Sequence, residues 1–344
     1  MTKARDLADY TGLQADLAGL QTNITAGDTA ARAGRKNWII NGSVIVSQRA
    51  SYATAVSMTT QAYYQDRWTT VINNGVAATI QTKSTDQPNG QVGNCIRVIT
   101  SAGSSAAECG VDQRVENPQQ FAGKTVTFSV WMKSNTNKAG ISHYNNQDSF
   151  VAPTNHTGGG AWEKLTLTHT VNATGPTDFR LRLGLSQSGN TVVGVGDYFE
   201  VTEAQMEYGS VATDFEHRSF GEELALCQRY FCKSFQYATA PVNGSNEDYG
   251  GWGGLTAYST STARPSPIQW PVRMRTAPTI VLYSGASVSS AGKWSYYKNS
   301  SWADSSQTGV SATTSIHWYP SVTGSYTAHY SYLGRGHYTA DAEL

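Results

Sequence analysis

The feature that most constrains the fold of this chain is an alternation of apolar with other side chains, repeated in several short runs. In residues 125–132 the even positions are apolar, and the same period of two recurs at 165–171 and 179–185. In the last run Arg180 and Arg182 occupy the opposite face. Successive side chains of a strand point to opposite faces of a sheet, whereas a helix repeats every 3.6 residues. These runs therefore predict half-buried antiparallel strands.

Clusters of turn-forming residues separate the runs. They are rich in Gly, Asn, Ser and Pro, and they occur at residues 73–75, 88–90, 134–137, 157–160 and 194–197. Short strands joined by polar turns are typical of two packed antiparallel sheets. We therefore predict a jelly-roll-like β-sandwich over residues 35–218, within a chain of mainly β fold class.

A short N-terminal helix is predicted ahead of the sandwich. Its apolar side chains recur at intervals of three and four residues, as in a coiled-coil seam. They are Tyr10, Leu13, Leu17, Leu20 and Ile24. Two heptads are too short for a stable isolated helix, so this stripe needs a partner surface. We expect residues 1–34 to anchor or oligomerise the chain; the alternative is a helix that packs on its own domain.

Residues 219–235 break the alternation and predict a linking amphipathic helix. Glu222 and Glu223 open this stretch, and basic residues close it. Acidic side chains favour the first turn of a helix and basic ones the last. Residues 236–344 then contain five tryptophans, many tyrosines and little charge. We interpret them as a C-terminal β-sandwich domain.

Charge and hydropathy exclude several classes of function. The 25 basic and 25 acidic side chains give a formal net charge of zero, so a nucleic-acid partner is not expected. No run approaches the roughly 18 apolar residues that a membrane-spanning helix needs, and the first residues do not resemble a secretion signal, so membrane insertion is not expected either. The four cysteines are interpreted as free buried thiols, although Cys95 and Cys109 could face each other across a hairpin.

Motifs for catalysis, cofactors or metals are weak. Gly123-Lys124-Thr125 resembles part of a phosphate loop, but Pro118 stands where the first glycine is required. The carboxylates of Glu203 and Glu207, or of Glu247 and Asp248, are nominal acid pairs that we interpret as solvated side chains. We therefore expect no enzyme activity, no cofactor and no metal. The one metal alternative considered involves the three C-terminal histidines His317, His329 and His337.

Several segments of the chain resemble a module common in bacteriophage tail-fibre and other virion proteins. They are 2–8, 37–43, 47–49, 64–68, 121–131, 205–209, 212–218, 223–231, 270–278 and 340–344. The resemblance implies a virion structural protein, made in the cytoplasm of a bacterial host, whose first sandwich is similar to a carbohydrate-binding module. It also implies a distal domain that touches the host surface.

The C-terminal domain contains the residue types that a glycan site requires. Sugar C–H faces stack on aromatic rings, and sugar hydroxyls need carboxylate or amide partners. The candidate glycan-binding residues are Tyr249, Trp252, Trp294, Tyr296, Trp302 and Asp304. The alternative is that these aromatic rings fill the core or a subunit interface. For the tryptophans of the first sandwich, Trp38 among them, we expect packing roles.

The leading functional hypothesis is a short tail fibre or adhesin on the virion. In it the chain is a homotrimer, its N-terminus binds other tail, baseplate or head proteins, and its C-terminal tip, residues 236–344, binds a host cell-surface polysaccharide. The second hypothesis is a decoration or connector protein that makes only protein contacts. The third is a depolymerase, which would need two convergent carboxylates.

Overall fold

The computed structural model describes residues 36–90, 93–104, 108–186, 192–244, 253–285 and 292–344. The predicted fold class is confirmed: the described chain is mainly antiparallel β-structure, with the single α-helix α1 at Phe220–Gln228 and 3-10 turns at Pro88–Gly90 and Pro118–Phe121. The predicted N-terminal helix and its stripe, Tyr10 to Ile24, lie outside the described residues. No helix among the described residues is both long and apolar enough to cross a bilayer.

Among the described residues, twelve strands form the first sandwich. They are β1 Val56–Ser57, β2 Thr69–Ile72, β3 Ala77–Lys83, β4 Cys95–Ala102, β5 Cys109–Arg114, β6 Thr125–Ser134, β7 Ala139–Asn145, β8 Ser149–Phe150, β9 Thr154–Asn155, β10 Trp162–Thr170, β11 Phe179–Leu185 and β12 Tyr198–Tyr208. One sheet has the order β1-β3-β4-β12-β6-β10, and the other has the order β2-β5-β11-β7-β8 with β9 paired to β7. All the pairings are antiparallel, as the turn-rich sequence predicts.

The core of this sandwich lies between the two sheets. In β6 the side chains at every even position from Val126 to Met132 are fully buried, as predicted, but Thr127 and Ser129 on the other face are buried as well, so this strand is not half-buried. They meet Phe179, Leu181 and Leu183 of β11, from the opposite sheet. Burial of a large apolar side chain contributes about 1.5–3 kcal/mol, so this interface supplies most of the stability of the sandwich.

The linking helix is shorter than predicted. Ser219 caps α1: its side chain accepts a hydrogen bond from the Glu222 amide, and the Glu222 carboxylate accepts one from the Ser219 amide. The helix ends at Gln228, and Phe231–Lys233 form strand β13 of the following domain. The prediction of a helix up to residue 235 is therefore wrong at its C-terminal end. The reason is tertiary: β13 pairs in register with Thr339 to Asp341, and this pairing outweighs the local helical pattern.

The C-terminal domain is built around its last strand. The strands after β13 are β14 Gly253–Ala257, β15 Thr262–Arg264, β16 Ile268–Gln269, β17 Thr279–Ser284, β18 Ser295–Lys298, β19 Ser301–Asp304, β20 Gln307–Thr313, β21 His317–Thr323 and β22 Ser331–Asp341. The main sheet has the order β16-β21-β15-β14-β22-β18-β19, with β20 on β21, while β13 and β17 pair with the end of β22. Its core packs the parallel rings of Trp270 and Trp318, 6.2 Å apart, against Trp294 and Tyr338.

A polar junction joins the two domains. Glu343, just beyond β22, forms ion pairs with Arg67 and Arg49 of the sandwich. The guanidinium of Arg67 also lies 3.6 Å from the ring centroid of Tyr230. From the other side, Arg229 and Tyr230 donate hydrogen bonds to the Glu116 carboxylate. The C-terminal domain is thus held to the sandwich by charged groups that are largely removed from water.

All four cysteines are free and buried, which confirms that interpretation, and Cys95 and Cys109 lie on strands of different sheets. Burial raises the pKa of the Cys95, Cys109 and Cys232 thiols to about 12. Because the thiolate is the reactive form, we expect no reaction with Ellman's reagent at pH 8 in the native protein. Four thiols should react after denaturation. Rapid labelling of the native chain would contradict this placement.

Candidate functional site

The structure separates the side chains that sequence analysis assigns to a glycan site. Trp294 and Tyr296 are only 3% and 5% exposed and belong to the C-terminal core. A Cβ atom on Gly336 would lie 2.1 Å from Trp294 Cδ1, so the indole fills space that the glycine leaves open. This burial corrects the prediction for Trp294 and Tyr296, because a sugar ring cannot stack on a side chain inside the core. Tyr249 and Trp252 lie outside the described residues.

Trp302 and Asp304 lie on the outer face of the same sheet. Tyr297 pairs with Trp302 across the β18–β19 hairpin, and Ser295 pairs with Asp304. Directly opposed residues of an antiparallel pair share a face. Because Tyr296 points into the core, its neighbour Tyr297 points outward, where it is 40% exposed. The partly exposed Trp302 lies beside it.

Arg335 of β22 extends this outer face. Its backbone pairs with that of Ser295, and its guanidinium carbon lies 4.2 Å from the centroid of the Trp302 ring. The rings of Tyr297 and Trp302 are 5.4 Å apart at an angle of 63°. Ser295 Oγ donates a hydrogen bond of 2.7 Å to Asp304 Oδ1. We call Tyr297, Trp302, Asp304 and Arg335 the aromatic platform.

The aromatic platform combines the groups that recognise a polyhydroxylated ring. The π-faces of Tyr297 and Trp302 can accept sugar C–H groups. The Arg335 guanidinium donates hydrogen bonds, and the Asp304 carboxylate accepts them. The cation above Trp302 fixes the indole plane, which lowers the entropy lost when a ligand binds. Stacking and hydrogen bonding of this kind are the non-covalent contacts that hold a sugar ring.

Two members of the aromatic platform are missing from the sequence-based site. Tyr297 could have been identified from the alternation of Trp294, Ser295, Tyr296 and Tyr297, because a strand cannot bury both Tyr296 and Tyr297 on one side. The same alternation places Trp294 and Tyr296 on one side of the strand, but it does not show which side is buried. Arg335 carries no local signal, since its partners come from another hairpin. For Trp302 and Asp304, glycan binding stays a prediction.

The two strand carboxylates considered as an acid pair have separate environments. Glu203 occupies a bulge of β12 with a φ of 52°, and burial raises its pKa, while His217 Nε2 lies 3.8 Å from its Oε1. Glu207 is 4% exposed and accepts hydrogen bonds from Thr213 and Gln205. Both are buried rather than solvated, and Glu207 has a structural role in holding the loop after β12.

The C-terminal histidines have unrelated surroundings. His337 is buried and stacks on Phe235 at 4.3 Å, whereas His317 packs against the exposed Tyr319 on β21. His329 adopts a φ of 68° in the loop before β22. Within the part of the chain that the structure describes, no group of three or more His, Cys, Asp or Glu side chains has an arrangement that could hold a metal ion.

Comparison with known proteins gives distant structural similarities. No protein-family model and no curated protein matches the sequence. The enzymatically active domain of bacteriophage CBA120 tailspike protein 4 is 12% identical with a TM-score of 0.33, and the match covers 50% of this chain but 21% of that one. The CBM22-1 xylan-binding domain of Paenibacillus barcinonensis Xyn10C is 12% identical, with a TM-score of 0.30, over 47% of this chain and 99% of that domain. The family 11 carbohydrate-binding module of Clostridium thermocellum Lic26A-Cel5E is also 12% identical, with a TM-score of 0.29, over 47% of this chain and 99% of that module. Similarities of this size do not assign the chain to a family.

Proposed function

We propose that this chain is a non-enzymatic adhesin of a bacteriophage virion, a short tail fibre that binds a host surface glycan through the aromatic platform. The observation that carries the glycan-binding part is the pair formed by the exposed Tyr297 and the partly exposed Trp302, flanked by Arg335 and Asp304 on one sheet face. The virion location is supported by the resemblance of the sequence segments to tail-fibre proteins.

The strand framework supports this role because it fixes the platform before a ligand arrives. Tyr297, Trp302 and Arg335 lie on three neighbouring strands, β18, β19 and β22. Side chains on paired strands lose less freedom on binding than side chains on loops. A preformed and partly exposed surface of this kind suits a polysaccharide chain better than it suits a small molecule, which needs a deep pocket.

The proposed homotrimer would raise a weak affinity at each site. A single stacking platform of two rings supports a modest affinity for one sugar segment. Three tips on one fibre, and several fibres on one particle, convert later binding events into intramolecular ones. The effective affinity then rises by about 10² or more without new contacts. Residues 1–34 supply the trimer and the virion anchor in this proposal.

Trp302→Ala and Tyr297→Ala are each expected to weaken binding to the cognate polysaccharide by about tenfold or more, because each removes a stacking face worth roughly 1.4 kcal/mol. The measurement is biolayer interferometry of the full chain on immobilised lipopolysaccharide and capsule from a panel of bacterial strains. Tyr319→Ala is the matched control: Tyr319 is 37% exposed against 40% for Tyr297, and it lies on β21, four strands from β18 in the same sheet.

Three results would count against the proposal. Equal weakening of polysaccharide binding by Tyr319→Ala would show that the aromatic platform is not the binding site. A wild-type chain that binds none of the polysaccharides would favour the connector hypothesis. Release of reducing ends from a bound polysaccharide would contradict the non-enzymatic assignment and favour a depolymerase.

A further inference from the structure

A second candidate site lies at the junction of the two domains. A cleft of about 220 Å³ opens between the first sandwich and the residues that follow α1. Its wall includes Trp38, Arg67, Arg114, Asn117 and Gln120 from the sandwich, together with Arg229. Clefts between domains are frequent ligand sites, and this volume suits a ligand smaller than a drug-sized molecule. The cleft contains no member of the aromatic platform.

The charges around this cleft leave one guanidinium available. Arg229 is engaged by the Glu116 carboxylate, and Arg67 is engaged by Glu343. The side chain of Arg114 is 39% exposed, and its ion pair with Asp178 is long, at 3.7 Å. Of the three arginines in the cleft wall, Arg114 is therefore the one least engaged by protein carboxylates. A guanidinium binds a carboxylate through two parallel hydrogen bonds.

Two further donors in the cleft wall lack acceptors. Among the described residues, neither Trp38 Nε1 nor Arg67 Nε has a hydrogen-bond partner, although both atoms are buried. A buried N–H group without an acceptor costs about 1–3 kcal/mol. The unpaired N–H dipoles add to the positive potential that Arg114 creates. The cleft is therefore complementary to a negatively charged, acceptor-rich group.

The remaining wall has the character of a sugar site. Trp38 supplies apolar ring surface, and the exposed side chains of Asn117 and Gln120 offer amide groups to hydroxyls. Gln120 Nε2 is held by the Glu116 carbonyl at 3.2 Å, which leaves its Oε1 for a ligand. A simple inorganic anion would use Arg114 but neither the amides nor the ring.

We propose that this junction cleft binds one acidic monosaccharide unit, a uronic acid or similar carboxylated sugar, with the carboxylate on Arg114. The proposal rests on the proposed function in one respect, that the ligand of the chain is a glycan. It adds that the glycan is anionic and that it contacts the protein at a second place. The cleft and the aromatic platform would then bind different segments of a polysaccharide or different chains of it.

The test is a titration of the full chain with D-glucuronate and D-galacturonate, followed by nuclear magnetic resonance, beside glucose and galactose. We expect the acids to bind at least tenfold more tightly than the neutral sugars. Arg114→Gln should abolish this preference, and Trp38→Phe, which keeps an aromatic ring but removes the indole N–H, should weaken uronate binding about threefold. Arg264→Gln, at an exposed arginine of the C-terminal domain, is the matched control and should have no effect.

The platform variant Trp302→Ala separates this proposal from the first one. It should weaken polysaccharide binding and leave monomeric uronate binding unchanged. Unchanged uronate binding in Arg114→Gln, equal binding of acidic and neutral sugars, or acetate competing as strongly as glucuronate would each overturn the proposal. Arg67 bonds to the carbonyl of Arg114 and not to its side chain, so the glutamine variant should fold, and an unchanged thermal midpoint checks this.

Discussion

Glu343→Leu is expected to lower the free energy of unfolding by about 3–5 kcal/mol, the usual cost of leaving one member of a buried ion pair without its partner. Arg67 is 2% exposed and Glu343 is 5% exposed, so water cannot replace the lost carboxylate. Arg49, whose guanidinium lies 3.3 Å from Glu343, loses the same partner. The substitution therefore weakens the attachment of the end of β22 to the first sandwich and leaves the pair of Arg49 with Asp341 in place.

Urea denaturation, monitored in parallel by tryptophan fluorescence and by far-ultraviolet circular dichroism, measures this effect and shows whether the two domains still unfold together. The double variant Arg67→Met, Glu343→Leu should recover most of the loss, because it removes both charges. Asp86→Asn is the control: Asp86 is 47% exposed in its pair with Lys133, so its loss should cost less than about 1 kcal/mol. A similar small loss for Glu343→Leu would mean that the junction is open to water.

The junction also shows where several of the sequence segments that resemble tail-fibre proteins lie in the structure. Glu223 of α1 accepts a hydrogen bond from the Asn41 amide, and Asn41 Nδ2 donates to the carbonyl of Asp66. Gln48 binds the Asp66 carboxylate through its amide groups. Segments 37–43, 47–49, 64–68 and 223–231 therefore meet in one place, with 340–344 added by Glu343. The sequence contains each of these polar residues, but their pairing spans about the full length of the chain and cannot be derived from local pattern.

The strands were predictable because apolar side chains recur along them with a period of two. Val126 to Met132 form one buried row, and this row requires no knowledge of the partner strand. Periodicity does not predict which face of an aromatic strand is buried. Both faces of β18 carry a tyrosine, Tyr296 inward and Tyr297 outward, so hydropathy does not choose between them. The room for the Tyr296 ring on the inner face comes from the distant Gly324, just after β21, where a Cβ atom would lie 2.8 Å from that ring.

The junction cleft could not be predicted for a related reason. Trp38 follows the expected packing role, with its ring edge-on to Phe121 at 5.2 Å. Its unpaired indole N–H is a property of the assembled wall and not of the residue. In the sequence, Arg114 likewise does not differ from any other polar residue at the end of a strand. The residues that line a cleft between domains therefore show no distinctive pattern in the sequence.

His143, in the core of the first sandwich, is expected to make the stability of the protein depend on pH. Its side chain is fully buried against the rings of Phe128 and Phe179, and neither ring nitrogen has a partner among the described residues. Burial, helped by the neighbouring His169, lowers the pKa of His143 from 6.5 to about 3. The unfolded chain therefore takes up this proton at higher pH than the folded chain does. The resulting stability is fully present above about pH 6.5 and is lost as the pH falls toward 3, by about 1.4 kcal/mol per unit.

Replacing His143 with phenylalanine should remove this loss of stability at low pH. His143→Phe keeps the aromatic contacts and has no group to protonate, so its stability should change less between pH 6.5 and pH 4 than that of the wild type. Asp148 contributes only at lower pH: burial would raise its pKa, but hydrogen bonds from His169 and Asn172 hold it at about 2. Urea midpoints at half-unit pH steps measure the difference. His317→Phe, at a partly exposed histidine of the other domain, should keep the wild-type slope. Parallel pH profiles for the wild type and His143→Phe would show that this imidazole is charged or solvated in the folded protein, and the acid sensitivity would then have to arise from other groups.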